Sequence, residues 1–84
     1  MKGLNLTGFI TAVEPARAFT RDGKTRWSRP IHISSGQQVY KYYDDADTEE
    51  QLRDLSMLQM ISVSVTYAST NKGVTSVSGE LETL

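Results

Sequence analysis

Apolar and polar residues alternate along most of this chain, and a period of two commits it to strands that bury one face. Ile61, Val63, Val65 and Tyr67 alternate with Ser62, Ser64 and Thr66. Leu4, Leu6, Gly8, Ile10 and Ala12 do the same near the start, with Phe9 and Val13 on the other parity. The breaks fall where turns are cheapest to make. Asp22-Gly23 separates two extended segments and is a strong hairpin signal, because glycine accepts the positive φ of such turns. Ser34-Ser35-Gly36 marks a second turn and Asn71-Lys72-Gly73 a third, where the Ser69-Thr70 lead-in predicts a longer loop. Gly8 inside its strand predicts a bulge or sharp curl, and Pro15 and Pro30 predict edge or bulge positions.

One segment departs from this period. Asp44-Asp45-Ala46-Asp47 introduces a cap at Asp47 or Thr48, with Glu50 or Gln51 three residues on to complete a capping box. Leu52, Leu55 and Leu58 then recur every third residue, which predicts one short helix over roughly residues 48–58. The order is strand, strand, strand, helix, strand, strand. With 84 residues this is a single domain, 1–84, whose small core buries roughly 60–65% of the unfolded surface. Cysteine is absent, so neither disulfides nor thiolate metal sites contribute. No apolar run at the start resembles a signal peptide, and none approaches the roughly 20 residues that span a bilayer. A soluble, cytoplasmic protein is expected.

The net charge of −1 conceals a division. Residues 1–43 carry seven lysines and arginines against Glu14 and Asp22, a net of +5. Residues 44–84 carry Arg53 and Lys72 against eight carboxylates, a net of −6. Such asymmetry points to a basic face and nucleic-acid contact, while the low overall charge excludes indiscriminate polyanion binding. The cations concentrate around the first hairpin as Arg17, Arg21, Lys24, Arg26 and Arg29, interleaved with Phe19 and Trp27. Charge suits the phosphates of a single strand and flat rings suit its unstacked bases. Tyr40, Lys41 and Tyr42 extend the candidate site onto the third strand. Alternation sets Val39, Lys41 and Tyr43 on one of its faces and Tyr40 and Tyr42 on the other, so at least one tyrosine faces out.

The opening Leu6-Thr7-Gly8-Phe9-Ile10, the Phe19-Thr20-Arg21-Asp22-Gly23-Lys24 run and the closing Val77-Ser78-Gly79-Glu80-Leu81 give the chain a resemblance. It resembles the OB-fold single-stranded-DNA-binding proteins, the small bacteriophage ones in particular, over nearly its whole length as a pattern of strands and glycines. The resemblance implies an all-β fold with one short helix: a five-stranded Greek-key barrel, the helix between strands 3 and 4. It implies sequence-tolerant binding of single-stranded DNA, with RNA as the other ligand of that class, a role in DNA replication, a homodimer, and a bacterial or phage-infected cytoplasm.

Trp27 divides the readings, because its parity with Ile31 and Ile33 argues for the core and its place near the hairpin tip for exposure; exposure is expected here. Tyr67 continues the stripe of Ile61, Val63 and Val65 and is expected in the core or at its end, and Phe9 fits either side. His32 has no second histidine or thiol with which to share a metal, and is expected at the surface. The acidic run at 44–50 lacks the glycine and spacing of a calcium loop and reads as a solvated helix start. No nucleophile–base pair or phosphate-cradling loop is evident, so neither catalysis nor a cofactor is expected. The alternative to nucleic-acid binding is a protein-interaction module that adds a strand to a partner through an exposed edge.

Overall fold

The computed structural model describes residues 4–84. Among the described residues six strands form: β1 (Leu4–Val13), β2 (Arg17–Arg21), β3 (Lys24–Ser35), β4 (Gln38–Ala46), β5 (Met60–Asn71) and β6 (Val74–Thr83). They pair in the order β1-β5-β6-β4-β3-β2, and β1 also pairs with β3, so five of them close a ring that leaves β2 outside. All contacts are antiparallel except β4 with β6, which run parallel from Tyr40 to Tyr42 and Thr75 to Val77. Among the described residues no helix is long and apolar enough to cross a membrane.

The hairpins follow from their turn residues. Asp22 (φ 53) and Gly23 (φ 75) form a two-residue turn, and so do Lys72 (φ 53) and Gly73 (φ 81), both with the paired positive φ of type I′. The expected longer loop at Ser69-Thr70 is therefore replaced by ladder, which runs unbroken to Asn71↔Val74. Glycine at the first position of the Gly36-Gln37 turn (φ 62) supplies what a type II′ turn requires.

Strand parity fills the ring. Ile10, Ile31, Ile33, Ile61 and Val63 are fully buried, joined by Leu6, Tyr42, Leu55, Val77 and Leu81. Two bulges reset that parity. One falls between Ile10 and Ala12 as β1 passes from β5 to β3, and brings Val13 onto the core. The other falls between Val65 and Tyr67 and turns Tyr67 outward, 66% exposed, against the expectation that it would extend the buried stripe. Phe9 also faces out. Pro30 sits where β3 exchanges β2, paired up to Ser28, for β1, paired from Ile31, so its missing N–H breaks no ladder.

The expected helix over 48–58 is corrected to one 3-10 turn, Glu49–Gln51, followed by irregular chain. The reason lies in where its backbone groups go. Arg53 N–H donates to the Asp44 carboxylate at 2.7 Å, Leu58 N–H to the Ile10 carbonyl at 2.6 Å, and the Gln59 carbonyl accepts Ile10 N–H at 3.0 Å. The N–H groups of Gln51, Leu52 and Gln59 make only i→i−3 turns, so these turns and the bonds to Asp44 and Ile10 replace an i→i−4 ladder, while Leu52 and Leu55 are buried without a helix to carry them. Asp44, expected in a solvated run, is itself buried and holds this segment through Arg53.

Candidate nucleic-acid interface

A strand offers alternate residues to opposite faces, and the registers of β2, β3 and β4 sort the candidate residues into two groups. Arg17 pairs with Ser28, Phe19 with Arg26 and Arg21 with Lys24; on the other side of β3, Pro30 pairs with Tyr43 and His32 with Lys41. These side chains form the outer face. Arg17, Arg21, Lys24 and Arg26 are exposed, and Phe19 and Lys41 half-buried.

Two adjoining depressions mark this face. The larger, about 400 Å³, is lined by Glu14, Arg17, Ala18, Phe19, Ser28, Pro30, Lys41 and Tyr43, with buried Pro30 in its floor. The smaller, about 280 Å³, is lined by Phe19, Arg21, Asp22, Lys24, Arg26 and Asp45. Phe19 belongs to both. Lys41 places its ammonium 5.4 Å from the Tyr43 ring centroid, two residues along the same face, within cation–π range. Arg26 lies 3.5 Å from Asp47, an exposed pair that contributes little to stability.

The remaining four candidates lie on the opposite parity. Tyr42 is a core residue: its hydroxyl donates to the Gly79 carbonyl at 2.9 Å, and burial, reinforced by the Asp44 carboxylate, pushes its phenol above the usual range. Tyr40 is half-buried against the core and donates to Gln38 Oε1 at 2.7 Å. Arg29 donates to the Arg53 carbonyl at 3.1 Å, which directs it to the irregular segment rather than the outer face. Trp27 shares that inner parity and is half-buried, so the expected exposure is only partial.

Three outer-face residues outside the candidate set join it. Tyr43 is 45% exposed, and its shared parity with Lys41 is the signal in the sequence that could have found it. His32 and Glu14 meet at 2.6 Å between Nε2 and Oε2, with Lys41 Nζ 3.8 Å from the same oxygen. This hydrogen bond, followed by the charges of Lys41, His32 and Arg17, holds the Glu14 carboxyl below its ordinary range, so it accepts and His32 donates. The Glu14–His32 contact spans 18 residues and depends on the β1–β3 pairing, for which nothing local in the sequence gives a sign. Among the described residues no cluster of histidine, cysteine and carboxylate groups could hold a metal ion. No protein-family model matches the chain, and neither a curated protein nor a solved structure is significantly similar to it.

Proposed function

We propose that the outer face of β2, β3 and β4 binds single-stranded nucleic acid, DNA in the first place, without strong sequence preference. The observation that carries this reading is the placement of Arg17, Arg21, Lys24, Arg26 and Lys41 on one face with Phe19 and Tyr43. Phosphates need the former and unstacked bases the latter. We further read the ring as an OB-type barrel. Supporting this, five strands close with non-sequential neighbours, β1 bridges two of them, and the irregular segment with Leu55 fills the place of the helix. In that fold the second and third barrel strands, here β3 and β4, carry the ligand, flanked by the first hairpin.

A titration with oligothymidine at several salt concentrations tests the proposal. If three to four of the five cations neutralise phosphates, log affinity falls against log salt with a slope of roughly −2 to −3, at about −0.7 per contact. A slope near zero, or no binding at low salt, removes the reading. The alternative of strand addition to a protein partner then gains ground, because among the described residues β2 pairs with β3 and with no other strand.

A further inference from the structure

We propose that Glu14 occupies an anion subsite of the outer face, standing where a phosphate oxygen of the bound strand would lie between His32 and Lys41, and that ligand binding expels it. The inference rests on the nucleic-acid reading above. Its basis is that donors from two neighbouring strands converge on one carboxylate oxygen: Nε2 of His32 at 2.6 Å and Nζ of Lys41 at 3.8 Å, both from Oε2. Arg17, at the start of β2, adds its charge from a third element. A phosphodiester oxygen presents to such donors the same negative, acceptor-only surface as a carboxylate.

The two donors and their occupant are held differently. His32 and Lys41 are directly paired across the β3–β4 ladder, so their juxtaposition does not depend on Glu14. Glu14 lies in the connection between β1 and β2, held there by its N–H bond to the Pro30 carbonyl at 3.0 Å. Its side chain can swing away while the cations remain. All three side chains are about one-third exposed or less, 33% for Glu14, 31% for His32 and 26% for Lys41, so solvent screens their charges only in part. A phosphate cannot share the place with the carboxylate, because like charges at that distance repel. Glu14 therefore sets a threshold that a single anion passes poorly and a polyanion, anchored elsewhere on the face, passes readily.

Expulsion carries a proton signature. In the free protein the His32 hydrogen bond and the Lys41 and Arg17 charges keep the Glu14 carboxyl below its ordinary range. Beside phosphate, and without those partners, its proton affinity rises. The complex then holds more protons than the free protein, so affinity strengthens as pH falls through the carboxylate range.

The experiment compares the full chain with Glu14→Gln, which keeps the shape and removes the charge, and with Glu82→Gln on β6 as a control for net charge. Glu14→Gln is expected to bind oligothymidine about tenfold more tightly than the parent and to lose much of the strengthening between about pH 6 and pH 4, whereas Glu82→Gln follows the parent. In a His32→Ala, Lys41→Ala background the gain from Glu14→Gln should shrink to that of Glu82→Gln. Equal affinities for Glu14→Gln and Glu82→Gln would overturn the subsite. Should no form bind oligothymidine, the nucleic-acid reading fails by itself, and inorganic pyrophosphate added to Glu14→Gln, followed through the His32 ring resonances, decides the subsite alone. A saturable shift absent from the parent supports it, and no shift ends it.

Discussion

Phe19 lines both depressions of the outer face, and its truncation removes the surface between them against which a base would stack. Phe19→Ala is expected to lower oligothymidine affinity by about 1–3 kcal/mol, while the urea midpoint moves little because the ring lies outside the core. Tyr42 gives the reverse. Tyr42→Phe keeps the buried ring and deletes the bond to Gly79, so stability falls by about 0.5–1.5 kcal/mol and affinity is unchanged. A binding defect in Tyr42→Phe would show that the inner parity reaches ligand after all. Single positions were legible in the sequence wherever alternation held without interruption. Ile31, Ile33, Ile61 and Val63 are buried as their period requires. Tyr67 was misplaced because a bulge adds one residue to a strand and leaves no local mark in it. Tyr43 was passed over for Tyr42, although Lys41 had already indicated which parity faces out.

Between β4 and β5 the chain has apolar residues at helical spacing and no helix, because burying leucines and forming a helix are separate matters. Leu52 and Leu55 reach the interior from irregular backbone, anchored by Asp44 and by the Ile10 pairings. Leu55→Ala should still cost about 2–4 kcal/mol in chemical denaturation, as for any core leucine. Leu58 behaves differently. It holds φ 68 and is 75% exposed, so its side chain contributes little burial while its backbone sits in the left-handed region. Leu58→Gly is expected to raise stability by up to about 1 kcal/mol, and a lowered melting temperature would mean that the exposed side chain packs on a neighbour. Five strands were expected and six form, because the outer arm of the first hairpin, Arg17–Arg21, is a strand of its own that pairs with β3 alone; the other five were legible from turn residues and alternation. The helix was not, because capping and spacing weigh only i→i−4 bonds, and here isolated i→i−3 turns alternate with bonds to Asp44 and to Ile10 across the ring.

Closure of the ring depends on two places where neighbouring backbones come too close for a side chain. A Cβ at Gly8 would meet the Ser34 carbonyl oxygen at 2.2 Å, and one at Gly79, which also holds φ 151, would meet that of Ser64 at 1.9 Å. Gly79→Ala is expected to cost about 2–5 kcal/mol through overlap and backbone strain together. Gly23→Ala, with φ 75 and open space around it, should cost no more than about 1–2 kcal/mol. Similar losses for the two would mean that the ring relaxes more than its packing suggests. β2 takes no part in that closure, although it carries Arg17, Phe19 and Arg21. The hairpin can therefore change length without disturbing the core, but only in certain steps. Removing one residue from each arm between the ring and Phe19 would draw the tip inward and exchange Phe19 for its neighbours on the ligand side, since every side chain beyond the cut inverts with a shift of one. Removing two from each arm restores the pattern. Viable insertions and deletions here should come in multiples of two residues per arm, so homologues of this chain would differ in hairpin length by steps of four residues.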